Sequence, residues 1–264
     1  MLFAEPIKVA LCCSALVLGL AGAGVVLVRR RVRAGYGVLV LTALTLLAVY
    51  GALAPGSGLY GPVVSRVPTD RRLVAITFDD GPDPRFTPPI LDLLRRHRAH
   101  ATFFVCGQAA GRYPGLVRRM AAQGHEIGNH TYHHRDLLWR GPGGIREELA
   151  STQRVLARCG VRCRLVRPPY GFRTPLLSWQ ARRLGLEVVT WSVATGDWLR
   201  PGAGTIADRA LARLAPGQVI LLHDGRGDRR QTVAALEVIL AELARKGYRC
   251  VTVTQLQGAG LSPR

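Results

Sequence analysis

Hydrophobic positions along the chain follow two regimes, and the change between them falls near residue 60. Before it, Val9 to Val28 and Ala34 to Ala54 each run without a charged residue, a length that suits a helix crossing a bilayer of about 20 residues. After it no such run recurs. Short β-rich stretches ("RLVAITF", "ATFFVC", "HEIGN", "RLVRP", "LEVVTWSV", "QVILLH" and "YRCVTV") alternate with stretches of helical period. Among the latter are "PPILDLLRRH", "PGLVRRMAAQG", "IREELASTQRVLARCG", "LLSWQARRLG" and "TVAALEVILAELARKG".

Strand and helix alternating about seven times predict a parallel sheet with helices outside it. Two architectures carry that pattern, an open doubly wound sheet and a closed or nearly closed barrel. Polar residues choose between them. In "TFDDG", "GNHTYHH", "VRPPYG", "VATGDW" and "LLHDG" reactive side chains fall just past the end of a strand-like run. A barrel brings all of those strand ends to one mouth, whereas an open sheet gathers fewer. The expectation is an α/β fold of the distorted (β/α)7-barrel type, preceded by two N-terminal transmembrane helices at about 9–28 and 35–54.

"ALAPGSGLYGP", Ala52 to Pro62, reads as a Gly/Pro-rich linker, so the expected domains are a membrane-anchoring hairpin at 1–60 and a second domain at 61–264. "RRRVR", Arg29 to Arg33, lies between the two apolar runs, while only Glu5 and Lys8 precede the first. The positive-inside rule places that arginine loop in the cytoplasm and both ends of the hairpin outside. A cleaved signal is the alternative, with "RRRVR" as n-region, Val38 to Tyr50 as h-region and Ala52 to Ala54 as cleavage box, although Pro55 argues against it. Either way the rest of the chain is expected outside the cytoplasm, at the cell membrane.

Charge alters this picture little. The formal net charge is +19, and the first sixty residues hold five basic and one acidic, so about +15 belongs to the remainder. The excess is almost all arginine, which points to a compositional bias or to an anionic surface. No basic run interleaved with aromatics follows residue 60, and nucleic acid is not an expected partner. Nothing indicates a protein partner. Of six cysteines, Cys12 and Cys13 sit in the first apolar run, Cys106 and Cys250 sit in strand-like runs as buried thiols, and Cys159 and Cys163 flank a short loop that a disulfide would close.

The adjacent acids Asp79 and Asp80 end an apolar strand at Gly81 and Pro82. Like charges so close need a cation, a proton or full solvation. In "HTYHH", His130 and His134 are spaced i and i+4, which puts two imidazoles on one face of a helical turn, with His133 pointing elsewhere. One carboxylate and two imidazoles form a three-ligand set with open positions for water, the catalytic arrangement for a divalent ion, and the other Asp is left to act as base.

"TFDDGP", "HTYHH", "RPPYG", "GDW" and "LLHD", in that order, resemble the five motifs of the polysaccharide deacetylases, carbohydrate esterase family 4, over roughly Leu73 to Leu256. The resemblance implies Asp79 as general base and Asp80, His130 and His134 as metal ligands. It implies that Arg167 orients the base and that the backbone N–H of Tyr170 helps to hold the oxyanion. Trp198 and Leu221 match residues lining the acetyl pocket, with Tyr170 also at the substrate. His223 matches the general acid and Asp197 the carboxylate that partners it. Glu126, Asn129 and Asp224 are expected to be structural. The family's fourth motif carries a further Asp three positions before the Asp-Trp pair, where this chain has Ala194.

The expected cofactor is a divalent metal, Zn2+ by default, with Co2+ or Ni2+ suited to the same ligands. The expected activity is removal of N-acetyl groups from an extracytoplasmic amino-sugar polymer, peptidoglycan N-acetylglucosamine first. Chitin oligomers, another exported polysaccharide or an O-acetyl ester are alternatives, as is a catalytically silent sugar-binding protein on the same fold.

Overall fold

The computed structural model describes residues 33–260, with side chains from Val38 onward, so the first expected membrane helix lies outside the described residues. The chain divides into two units between Ala52 and Leu53. In the first, helix α1 (Arg33–Leu53) follows the second apolar run. Among the described residues no helix is long and apolar enough to cross a membrane. The expected pair of transmembrane helices thus has no support among the described residues.

The segment expected to be a free linker is fastened down. Buried Arg173 donates from Nη1 to the Ser57 carbonyl at 2.5 Å and from Nη2 to the Ala54 carbonyl, and Thr190 Oγ1 donates to the Pro55 carbonyl at 2.7 Å. The second unit accordingly begins at Leu53, earlier than the linker's composition suggests.

In this unit the strands are β1 (Leu73–Asp79), β2 (Ala101–Val105), β3 (Glu126–Asn129), β4 (Leu165–Val166), β5 (Glu187–Val188), β6 (Val193–Ala194), β7 (Val219–His223) and β8 (Arg249–Cys250). The helices are α2 (Thr87–Arg96), α3 (Gly107–Arg112), α4 (Pro114–Ala122), α5 (Pro142–Arg158), α6 (Pro175–Arg183), α7 (Ala203–Leu211), α8 (Arg230–Arg245) and α9 (Val253–Gly258). Seven strands follow the order β5-β4-β3-β2-β1-β7-β6, each paired parallel to its neighbour, and β8 pairs with the start of β1. The sheet curls as a (β/α)7 fold requires, yet among the described residues no ladder joins β5 to β6. The barrel is therefore open on that side.

Alternation along the strands explains which side chains meet. Val74, Ile76 and Phe78 of β1, Phe103 and Val105 of β2, and Ile220 and Leu222 of β7 enter one apolar cluster beneath the helices. The intervening Ala75, Thr77 and Asp79 face the concave side, as do Thr102, Phe104, Leu221 and His223. Register then aligns Asp79 with Phe104 on one flank and with His223 on the other. Opposite Phe104 stands Gly128, where a Cβ would lie 2.4 Å from the aromatic ring. Only glycine leaves room for that ring.

Two strand-like runs end earlier than their composition suggests. "LEVVTWSV" splits into β5 and β6 around Val189–Ser192, since the chain changes neighbour there: the Val189 N–H still bonds the Val166 carbonyl of β4, while the Ser192 N–H bonds the Val219 carbonyl of β7. "YRCVTV" keeps only Arg249–Cys250, because Thr252 caps α9 by accepting from Gln255 N and donating its own N–H to the Gln255 side chain. The proposed disulfide is absent: Cys159 and Cys163 are buried free thiols, Cys163 Sγ donating to the Leu165 carbonyl at 3.1 Å. Cys106 and Cys250 are buried free thiols as expected.

Candidate active site and metal centre

Asp79 sits on the inner face at the carboxyl end of β1, 3 % exposed. Arg167, which follows β4, is fully buried and spans the mouth to reach it. Its Nη1 donates to Asp79 Oδ1 at 2.7 Å and to Thr77 Oγ1 at 2.8 Å, Nη2 to the Thr190 carbonyl at 2.6 Å, and Nε to the Val189 carbonyl at 3.4 Å. The guanidinium lies 4.1 Å above the Phe104 ring, whose place the missing side chain of Gly128 allows. Burial pushes the Arg167 pKa down and the Asp79 charge holds it up, so it remains a cation. Asp79 is thus fixed through one oxygen and keeps the other toward the mouth.

Asp80 turns away from its neighbour because its backbone is left-handed, at φ 77°. Asp tolerates this conformation better than most residues. The histidine stretch is an irregular loop rather than a helical turn, with Thr131 at φ 63° and His134 at φ 59°. The expected helical spacing is therefore incorrect, yet the two rings converge with centroids 5.0 Å apart. Glu148 of α5 shapes the loop, accepting from the backbone N–H groups of Tyr132 at 3.0 Å and His133 at 2.9 Å and pairing with His133 Nδ1 at 2.9 Å. His133 accordingly points away from the site.

The three expected ligands do come together. Candidate ligand atoms of Asp80, His130 and His134 all lie within 4.8 Å of one another. Asp80 Oδ1 is 3.1 Å from His134 Nε2 and 3.5 Å from His130 Nε2. His130 Nδ1 lies 2.7 Å from the Arg167 carbonyl, which can only accept, so in the neutral ring the Nε2 lone pair faces the carboxylate. Burial pushes His134 down to about 3, against the pull of Asp80, so its ring is neutral. Asp80 Oδ1 is buried without a hydrogen-bond partner. A buried carboxylate oxygen that accepts no hydrogen bond, beside the His130 lone pair and a second imidazole nitrogen, makes a donor set that fits a divalent ion.

Across the mouth, His223 Nδ1 lies 2.8 Å from Asp197 Oδ1, and Asp197 Oδ2 accepts from His223 N at 2.8 Å and from Thr232 Oγ1 at 2.9 Å. Burial alone would push the His223 pKa down, but the Asp197 carboxylate outweighs it, helped by Asp80 and Asp79, and the value stands above that of ordinary histidine. Burial likewise acts to raise Asp197, and the His223 charge and these hydrogen bonds bring it below the usual carboxylate value. Trp198 stacks edge-on to His223 with centroids 5.4 Å apart, and Leu221 is buried on the inner face outside both apolar clusters. Tyr170, at φ 60°, sets its ring edge-on to His134 at 5.1 Å.

Asp80, His130 and His134 thus cluster, Arg167 binds Asp79, the register sets Asp79 beside His223, Tyr170 packs on His134 and Trp198 on His223. A family model described as polysaccharide deacetylase matches residues 66–189. A peptidoglycan-N-acetylglucosamine deacetylase of Bacillus cereus is 40% identical over 198 residues, which cover 74% of this chain and 93% of that protein. The chain belongs to the polysaccharide deacetylase family. Another relative, a chitooligosaccharide deacetylase of a Bradyrhizobium species, is 40% identical over 198 residues, covering 70% of this chain and 90% of the other. The crystal structure of a peptidoglycan N-acetylglucosamine deacetylase superposes with a TM-score of 0.71 at 38% identity, covering 76% of this chain and 95% of the other.

This family member departs from the family's fourth motif at Ala194, which is exposed on β6. The partners of Arg167 lie at Thr77, Asp79, Val189 and Thr190, none of them at position 194. Sequence reasoning missed Thr77, Glu148, Thr190 and Thr232, whose roles come from tertiary neighbours and leave no motif. Asp224 carries a chemistry the sequence did not announce. Burial, with the nearby charges of Asp80 and Asp79, raises it to about 7 against the lowering effect of the 2.6 Å bond from Thr87 Oγ1. Glu126 and Asn129 are structural: Glu126 accepts from Thr102 and Thr254, and Asn129 bonds the Thr131 N–H and the Leu149 carbonyl.

Proposed function

We propose that the chain is a metal-dependent N-deacetylase of an extracytoplasmic amino-sugar polymer, with peptidoglycan N-acetylglucosamine as the substrate. The observation that carries this reading is the division of labour between adjacent acids: Arg167 holds Asp79, while Asp80 turns an unpartnered oxygen toward His130 and His134. Asp80, His130 and His134 would hold the ion, zinc by default. When bound, a divalent ion supplies a Lewis acid for the acetyl carbonyl and lowers the pKa of water beside it.

The remaining steps belong to the chain's own side chains. Asp79, held by Arg167, takes the proton of the attacking water. The Tyr170 backbone N–H meets the charge that develops on the carbonyl oxygen. Trp198 and Leu221 enclose the acetyl methyl and exclude water from it. His223, kept cationic by Asp197, protonates the amine as the carbon–nitrogen bond breaks, because an unprotonated amine leaves poorly.

The choice of peptidoglycan is supported by the activity named for the Bacillus cereus relative and by the expected position outside the membrane. Uncharged runs at 9–28 and 34–54, with the arginine loop between them, support a membrane-tethered protein whose catalytic domain faces outward. The purified full-length chain is assayed for acetate release from peptidoglycan and from chitotetraose, with and without chelator. Chelator-sensitive release from peptidoglycan is expected. A metal-loaded protein that releases acetate only from chitotetraose would replace the polymer, and one that releases none from either would leave a sugar-binding protein.

A further inference from the structure

A cleft of about 440 Å³ opens beside the metal centre, on the flank away from His223 and Trp198. It shares Asp80 with the ligand triad, and its walls carry Arg85, Arg112, Arg226, Tyr113 and Gln108. The three arginines are not equivalent. Arg85 is engaged by Asp83, with Nε at 3.0 Å and Nη2 at 2.7 Å from its carboxylate. Among the described residues, the guanidinium groups of Arg112 and Arg226 have no acidic partner, and both residues are exposed.

The backbone gives a second, independent observation. Arg226 stands between Gly225 and Gly227 at φ 53°, in the left-handed region where a non-glycine residue costs roughly 1 kcal/mol or more. Its loop presses on the metal ligand's own backbone, since a Cβ at Gly225 would lie 2.2 Å from the Asp80 carbonyl oxygen. Glycine at 226 would satisfy this turn without strain. The strained position instead carries a long cation at a cleft whose lining holds a second cation without an acidic partner.

An N-acetyl sugar is neutral and gives two arginines nothing to neutralise. We propose that this cleft is an anion subsite, in which Arg226 and Arg112 bind a carboxylate borne by the polymer beside the sugar being deacetylated. The proposal rests on the peptidoglycan reading above, whose polymer carries carboxylates next to each N-acetylglucosamine. The planar fork of arginine suits a carboxylate. Tyr113 and Gln108 add polar groups to the same lining. The subsite would favour substituted glycan over plain chitin and would weaken with salt.

Arg226→Gln, Arg112→Gln and the double variant are compared with wild type on chitotetraose and on O-carboxymethylated chitin oligomers of the same length, at low and high salt. The wild type is expected to show a higher kcat/KM on the carboxymethylated oligomers. Each single variant should lower the ratio of the two values by about threefold, the size of a solvent-exposed ion pair, and the double variant by roughly tenfold. The advantage should also shrink in high salt. A ratio that does not move in the double variant, or equal losses on both oligomers, would overturn the subsite.

Peptidoglycan arms separate the sources of the carboxylate. In stem-bearing strands the lactyl carboxyl is held as an amide, so an arginine-dependent advantage on them assigns the stem carboxylates; an advantage that appears only after an amidase frees the lactyl group assigns that carboxylate, and none on either would overturn the subsite. Strands with every carboxylate converted to methylamide should lose it in either case, and retention there would overturn the proposal. Failure of the peptidoglycan reading shows differently, as a wild type inactive on all peptidoglycan arms but active on the chitin pair, which still tests the arginines.

Discussion

Arg167 and Asp79, far apart in sequence, meet at 2.7 Å with both side chains buried, and the guanidinium is held at three other points at the same time. A lysine offers one ammonium on a flexible stem and cannot bridge Asp79, Thr77 and Thr190 together. Arg167→Lys should lower kcat by about 100-fold through misplacement of the base. Arg167→Met, which strands the Asp79 charge, should also cost on the order of 3 kcal/mol of stability. Steady-state kinetics with thermal unfolding check both, and an Arg167→Lys enzyme with wild-type kcat would contradict the orienting role.

The raised pKa of His223 gives the pH dependence a definite sign. Its acid form is needed to protonate the leaving amine, so activity should persist through neutrality and fall as pH rises through that value. Asp197→Asn removes the charge that raises it and leaves burial, which lowers it. The alkaline limb of kcat/KM should then move to lower pH, with kcat down by about 100-fold. A pH profile with an unmoved alkaline limb would separate Asp197 from His223 function.

Asp80, His130 and His134 supply the proposed ion's only protein ligands among the described residues. His134→Ala should abolish stoichiometric metal and reduce activity by at least about 1000-fold. Chelation should inactivate the wild type, and added divalent ion should restore it. Mass-spectrometric metal analysis is the decisive measurement, independent of turnover.

Gly225 offers a test remote from any reacting group. A methyl there would lie 2.2 Å from the Asp80 carbonyl oxygen, a backbone atom that cannot move without carrying the ligand. Gly225→Ala should destabilise the fold by about 2 kcal/mol and weaken metal affinity. Gly115→Ala, where the added Cβ meets nothing within 4 Å, should do neither and serves as the control.

Much of this site was legible from local pattern because each reactive residue lies at the end of a strand, and parallel strands bring such ends together. "TFDDGP" and "LLHD" needed only the register of β1 with β7 to set Asp79 beside His223. What escaped has long-range or conformational causes. The His130–His134 pair was read as a helical turn because i,i+4 spacing is the common route to convergence; two left-handed residues and Glu148 achieve it instead. The splitting of "LEVVTWSV" follows from a change of neighbouring strand between Val189 and Ser192, which no periodicity announces. Helices α3 and α7 were also missed, α3 because it is six residues long and α7 because its buried face is mostly small residues, Ala207 and Ala210 beside Ile206.

The attachment of Ala54, Pro55 and Ser57 bears on proteolytic maturation. Thr190 links the Pro55 carbonyl to the guanidinium that orients the base, and Arg173 donates to the Ala54 carbonyl. A peptidase cutting after Ala54 would deprive that buried cation of an acceptor, at a cost of about 1–3 kcal/mol. The residues that fix the base are therefore braced by the first residues of their own unit, and an enzyme trimmed there would work over a loosened floor.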